Sequence, residues 1–145
     1  MTMLIDASER WLPAVAALER QCFSDPWSVE MLRTELPDDS HEFLLAVEGD
    51  TLLGYVGLMT VLDEGYLSNV AVSPAYRRQG IAEALLGALL ARARARSLSF
   101  VTLEVRASNL PAQTLYRKLG FTEVGLRRGY YEHPREDAVL MTLYL

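Results

Sequence analysis

Hydrophobic positions recur with two periods along this chain, and the points where one period gives way to the other divide it into elements. Met3-Leu4-Ile5 is a short strand candidate before a polar break. Over residues 11–23 the apolar residues Val15, Leu18 and Cys22 fall at helical spacing, with Pro13 tolerated in a first turn. Asp25-Pro26-Trp27-Ser28 interrupts that helix; Ser28 can cap a second one over 29–36, and Pro37-Asp38-Asp39-Ser40 stops it. The middle changes to strand patterning. Residues 42–47, a Glu48-Gly49-Asp50 turn and Thr51–Val61 predict a hairpin, and 66–72 a third strand that Pro74 ends.

Helical period returns at 81–96, where Ile81, Leu85, Leu89 and Ala93 form one stripe and Arg92, Arg94 and Arg96 crowd the C-terminal turns, as the helix dipole favours. Residues 100–105 predict a buried strand. Asn109 can open a helix to Leu119 with Pro111 in its first turn and Gly120 as its stop. Two last strands follow at 121–126 and 138–145, with 127–137 between them as connection. The order β, α, α, a β meander, then β-α-β-α-β-β predicts a mixed α/β sheet with helices on both faces.

A chain of 145 residues fits one domain, 1–145, with a core large enough to need no staples. The net charge of −5 argues against nucleic acid as partner and favours a basic peptide. Glu35, Asp38, Asp39, Asp63 and Glu64 could attract such a tail. A single cysteine, Cys22, excludes an internal disulfide, supplies no metal-ligand set and reads as a buried small hydrophobe. His41 and His133 have no ligand spacing and read as surface residues, so no metal is expected. No apolar run reaches the ~18 residues of a bilayer span and the start has no signal-peptide pattern, so a cytoplasmic chain with no membrane partner is expected.

The most informative stretch is Val70-Ala71-Val72-Ser73-Pro74-Ala75-Tyr76-Arg77-Arg78-Gln79-Gly80-Ile81-Ala82, where a strand hands over to the longest helix. A helix N-terminus offers unpaired N–H groups and a partial positive charge, which suits phosphate. Gly80 lets the backbone turn toward a ligand, Ala82 permits close approach, and Arg77 and Arg78 can add charge-assisted contacts. Neither a dinucleotide fingerprint nor a Walker loop is present. The spacing Arg77-x-x-Gly80-x-Ala82 resembles the acyl-CoA motif of the GNAT family of N-acetyltransferases. Leu103-Glu104-Val105-Arg106-Ala107-Ser108-Asn109, then Ala112, Leu115-Tyr116 and Leu119-Gly120-Phe121, resemble that family's later motifs in order and spacing.

The resemblance implies an acyl-CoA N-acyltransferase fold and acetyl-CoA as co-substrate. It implies that the amides of Gln79, Gly80, Ile81 and Ala82 hold the pyrophosphate, that Val70, Ala71 and Val72 present backbone to the pantetheine arm, and that Asn109 contacts that arm. Within the family, Leu103–Asn109, Arg127-Arg128-x-Tyr130-Tyr131, Arg135-Glu136-Asp137-Ala138 and Phe23-x-x-Pro26-Trp27-Ser28 resemble members that acetylate the N-terminal alanine of a ribosomal protein. A monomer acting on a basic ribosomal-protein N-terminus is then expected. Tyr130 and Tyr131 could line its groove, although the segment Tyr131-Glu132-His133-Pro134-Arg135 is tighter than the resemblance leads one to expect.

Acetyl transfer needs a neutral amine, a donor for the tetrahedral oxyanion and a proton for the leaving sulfur. With an α-amine near ~8 and lysine near ~10.4, an N-terminus at pH 7 is neutral several hundred times more often than a lysine. Glu104, opposite the apolar Val101, Leu103 and Val105 on its strand, is the candidate base; an unperturbed carboxylate near ~4.3 would need partial burial or a water relay. Its other reading is a surface residue paired with Arg106. Tyr116, beside Leu115 and Leu119, is the acid that the resemblance implies, and otherwise a core aromatic. The oxyanion would meet the N–H of Val72. Another amine acceptor on the same fold, or an acetyl-CoA-binding module without catalysis, are the alternatives; the pairing of Glu104 with Tyr116 speaks against the second.

Overall fold

The computed structural model describes residues 1–36 and 39–145. Seven strands form one sheet in the order β1-β2-β3-β4-β5-β7-β6. They are β1 (Met3–Asp6), β2 (His41–Glu48), β3 (Thr51–Val61), β4 (Glu64–Val72), β5 (Phe100–Arg106), β6 (Thr122–Glu132) and β7 (Arg135–Tyr144). The helices are α1 (Leu12–Cys22), α2 (Val29–Glu35), α3 (Ile81–Ala95) and α4 (Leu110–Lys118). The expected mixed sheet is thus observed. Strict alternation in β2 explains why both faces are covered. Leu44 and Ala46 join Leu85, Leu86 and Leu89 of α3 in one core, while Phe43, Leu45 and Val47 meet Trp11, Leu12, Val15 and Leu32 of the α1–α2 face in another. Ser28 caps α2, its Oγ accepting from the N–H of Met31 at 3.2 Å. The stop expected at Pro37 and Asp38 lies outside the described residues.

Two features position the site. β4 and β5, the one parallel pair among the described strands, align only over Glu64↔Phe100, Gly65↔Val101 and Tyr66↔Thr102. Beyond Tyr66 they separate, and a cleft opens through the sheet. Opposite β3, the register shifts from Leu58↔Leu67 to Gly57↔Asn69, which leaves Ser68 as the extra residue of a bulge. The second feature corrects the sequence reading: 127–137 is not a connection but mostly strand, since β6 runs to Glu132 and β7 starts at Arg135. β6 is an edge strand and most of its side chains stay exposed on both faces, so no hydrophobic alternation marks it. The resulting long hairpin turns at His133-Pro134 and projects past the end of β5.

Candidate active site

The backbone of β4 is sorted by its pairing with β3. Ser73 donates to the carbonyl of Leu53 at 2.8 Å, which makes that pair a hydrogen-bonded one. Antiparallel pairs alternate, so Ala71 and Asn69 bond toward β3, whereas Val70 and Val72 turn their N–H and C=O groups toward the cleft. The Val72 carbonyl on that side is met by Arg77 Nε at 3.2 Å and by the Cys22 thiol at 3.6 Å. Arg77 therefore holds the protein's own strand, and its guanidinium also approaches Cys22 Sγ at 3.7 Å. Cys22 is half-buried rather than buried, and that burial pushes its thiol upward from its ordinary pKa.

Between β4 and α3 the chain turns through left-handed backbone at Arg78 (φ 64°) and Gly80 (φ 77°), the latter serving as N-cap of α3. Added bulk at Gly80 would meet no atom within 4 Å, so its requirement is conformational rather than steric. Gly80 O accepts the first helical bond from Ala84 at 3.0 Å, which leaves the amides ahead of Ala84 open. Val72, Arg78, Gly80, Ile81 and Ala82 surround a cavity of about 290 Å³ closed on its far side by Pro111 and Leu115 of α4. Gln79 stands in the same turn, next to Gly80. The only lysine, Lys118, pairs with Glu83 at 2.9 Å beside that turn.

A second cavity of about 530 Å³ occupies the other mouth of the cleft. Asn69, Val70, Leu103, Glu104, Asn109, Tyr116 and Tyr131 line it together with Glu19 and the α1–α2 connection. Glu104 projects from β5 away from the core, as alternation requires, with a 34% exposed side chain. Arg127 Nε lies 3.9 Å from its carboxylate, and Arg106 does not pair with it. Arg106 instead binds the hairpin turn, donating to the carbonyls of Pro134 (2.9 Å) and His133 (3.2 Å) and to Glu136 (3.3 Å), with its guanidinium 4.3 Å from the Tyr131 ring centre. Hydrogen bonds from Ser108, then Arg106, hold the Glu136 carboxyl below its usual range.

Tyr116 is packed deeper than the sequence implied. It is 6% exposed and its ring lies tilted against Phe121, 5.7 Å between centres, while Leu115 and Leu119 are only partly buried. The inward face of α4 is the i, i+3 pair Gln113 and Tyr116. Its hydroxyl has no hydrogen-bond partner among the described residues, and burial, reinforced by the nearby Tyr131 hydroxyl, raises its pKa. Tyr131 is pushed up to about 12, chiefly by burial and then by Tyr130. Asn109 caps α4, its Oδ1 accepting from Ala112 N at 3.2 Å, and its residue also borders the cavity. His133 and Asp25 join the hairpin to the α1–α2 connection at 3.1 Å.

Several side chains escape the sequence reading. Glu19, on the inward face of α1, is 1% exposed; it accepts from Trp27 N at 2.8 Å, from Asn69 Nδ2 at 3.3 Å and from the Tyr55 hydroxyl. Burial and then the Glu19 charge raise the Tyr55 pKa. The available signal was a polar residue where the period demands an apolar one: Glu19 four positions after Val15, and Asn69 inside Leu67–Val72. His41 also departs from the surface reading. Its side chain is 11% exposed, stacked on Phe43 and 3.1 Å from Glu35, because β2 alternation puts residues 41 and 43 on one face. Glu35, Asp39, Asp63 and Glu64 do not line the larger cavity, whose acids are Glu19, Asp25 and Glu104; Asp38 lies outside the described residues. Among the described residues no group of three or more His, Cys, Asp or Glu is placed to hold a metal, and no helix is long and apolar enough to cross a membrane.

A sheet split between its fourth and fifth strands, with phosphate-ready amides at one mouth and a carboxylate and a tyrosine at the other, defines a class. The chain belongs to the acetyltransferase (GNAT) family, which matches it over residues 12–121. The ribosomal protein bS18-alanine N-acetyltransferase of Escherichia coli is 39% identical over 134 residues, spanning 91% of this chain and 90% of that one. The Haemophilus ducreyi protein of the same name is 46% identical over 101 residues, 68% of this chain and 70% of the other. The crystal structure of the E. coli ribosomal-protein-S18-alanine N-acetyltransferase matches with a TM-score of 0.91 at 34% identity, covering 99% of this chain and 94% of its own. Arabidopsis thaliana NAA60 in complex with acetyl-CoA shares the fold with a TM-score of 0.91 at 21% identity over 100% and 99% of the two chains.

Proposed function

We propose that this chain is one acetyltransferase domain that moves the acetyl group of acetyl-CoA to the N-terminal α-amine of a ribosomal protein, alanine first. The observation that carries the reading is the convergence of Glu104 and Tyr116 on one cavity beside the backbone of Val70 and Val72 that turns away from β3. The curated relatives bear the matching name. The pyrophosphate rests on the amides of Gln79, Gly80, Ile81 and Ala82, with Arg78 adding charge and Arg77 steadying Val72 behind it. The pantetheine arm lies along Val70, Ala71 and Val72, with Asn109 beside it. No metal takes part, and the protein works as a cytoplasmic monomer.

The amine nitrogen attacks the thioester carbon, the oxyanion accepts from Val72 N–H, and the carbon–sulfur bond then breaks. Glu104 removes the amine proton and Tyr116 protonates the departing sulfur. Burial keeps the Tyr116 hydroxyl protonated across the working pH range, so the acid is always loaded. Side-chain acids at the acceptor mouth (Glu104, Asp25) suit a basic tail. Replacing Glu104 by Gln, assayed with an alanine-initiated peptide, should lower kcat by about 10²-fold; a kcat near wild type would strip Glu104 of its role.

A further inference from the structure

Glu19 is the only fully buried charged residue among the described residues, at 1% exposure, and the acetyl-transfer scheme does not use it. Burying a carboxyl group is costly unless its oxygens are bonded, and here the bonds divide by oxygen. Oε1 accepts the N–H of Trp27 at 2.8 Å, in the α1–α2 connection. Oε2 accepts the Tyr55 hydroxyl from β3 and the Asn69 amide from β4, the latter at 3.3 Å. The backbone of the same residue takes the other end of the connection, where Phe23 N–H donates to the Glu19 carbonyl at 2.9 Å at the C-cap of α1. Glu19 thus ties down Phe23 and Trp27 together and fixes both relative to β4, the strand that carries Val70 and Val72.

The segment so tied is one lip of the larger cavity. Phe23, Ser24 and Asp25 line that cavity with His133 and Pro134 of the hairpin, and the Asp25–His133 pair joins the two lips. The lips are its outer part: the side chains of Asp25 and His133 are 70% and 65% exposed, against 34% for Glu104, while Tyr116 is buried. A peptide whose first residue reaches Glu104 leads its following residues out past the lips. Glu19 itself reaches the cavity wall, but both of its oxygens are already engaged.

We infer that Glu19 is the positioning residue of the acceptor lip: it sets the α1–α2 connection at the spacing from β4 that the residues after the first require. It acts on peptide binding rather than on the chemical step. The division of its bonds explains why a carboxyl group stands here. Two oxygens accept at both ends, whereas an amide has one oxygen and one NH2. Turned either way, a glutamine side chain would set its NH2 against the Trp27 N–H or against Asn69 Nδ2, and one end of the tie would open. The inference rests on the α-amine reading above, and wild-type transfer to an alanine-initiated peptide tests that reading separately.

The test compares wild type, Glu19→Gln and Tyr55→Phe on an alanine-initiated hexapeptide and on alaninamide, which ends before the lips. Direct titration gives acetyl-CoA affinity, and the thermal midpoint shows that each variant folds. If the lip of Glu19→Gln is in place about a tenth of the time, KM for the hexapeptide should rise about tenfold with kcat within about twofold. For alaninamide kcat/KM should fall by no more than about twofold, and acetyl-CoA affinity should hold. Tyr55→Phe keeps its ring and removes one of the two sheet-side donors, so a rise of about threefold in the hexapeptide KM is expected. That variant carries the test alone if Glu19→Gln does not fold. An equal loss on hexapeptide and alaninamide would overturn the inference, because it would make Glu19 a support of the whole fold. An unchanged hexapeptide KM, or a loss confined to acetyl-CoA affinity, would overturn it as well.

Discussion

The two mouths of the cleft are made of different material. On the α3 side the proposed site is backbone: open amides from Gln79 to Ala82 behind a left-handed turn at Arg78 and Gly80. On the α1–α2 side it is side chain: Glu104 from β5, Tyr116 from α4, Tyr131 from the hairpin, and Asn69 held by Glu19. A backbone cradle tolerates most substitutions that keep its φ angles, because every residue except proline supplies an N–H. A side-chain site depends on identity and on remote supports such as Arg106, whose bonds to the His133 and Pro134 carbonyls fix the hairpin lip.

That contrast predicts a ladder of effects. At the top, Tyr116→Phe removes one oxygen from the side-chain mouth and should cost about 10²–10⁴ in kcat, with KM for acetyl-CoA within about threefold; thiol release followed in real time reads both. A kcat near wild type would end the distinction between the mouths. At the backbone mouth, Ala82→Val places a branched side chain at the open amides and should raise the Kd for acetyl-CoA about tenfold, leaving kcat at saturation nearly intact. Arg106→Ala should raise KM for the peptide several-fold without touching acetyl-CoA affinity, and lower stability by about 1 kcal/mol through the lost hairpin bonds. Smallest is Arg78→Ala, expected to weaken acetyl-CoA by about threefold or less. A loss of a hundredfold there would show that the cradle depends on side-chain charge after all.

The pH dependence sharpens the same comparison. With an α-amine near ~8 as nucleophile, kcat/KM for the peptide should rise with pH toward that value. Tyr116 should not bring it down before pH 10, since burial raises its hydroxyl above the ordinary value. Stability moves the other way. Tyr55, Tyr116 and Tyr131 hold their protons more tightly folded than unfolded. Their contribution is complete below about pH 10, the unfolded value, and fades above it. Thermal midpoints taken from pH 8 to 11 should therefore fall only at the alkaline end.

The same division decided what could be read in the sequence. The backbone mouth was legible because its requirements are local: a strand, a glycine able to take φ 77° and a small residue two places on, all within 70–82. The two helix faces and the central hairpin were legible because their periods are clean. β6 was missed beyond Leu126 because an exposed edge strand carries no period. At the side-chain mouth strand alternation singled out Glu104 and the family resemblance Tyr116 as candidates, but nothing in the sequence marked their neighbours. Arg127 rather than Arg106 meets Glu104, and Tyr116 rather than Leu115 or Leu119 turns inward, because long-range packing sets both. Glu19 and Asn69, fifty residues apart in sequence, meet only through the fold.

The central claim is that the side-chain mouth receives an α-amine. A single peptide beginning Ala-Arg and carrying an internal lysine, incubated with acetyl-CoA and the enzyme and then fragmented by mass spectrometry, tests it directly. The account predicts one acetyl group, on the N-terminal nitrogen, and no transfer when that nitrogen is blocked. Acetylation of the lysine alone, or equal transfer to the blocked peptide, would contradict it.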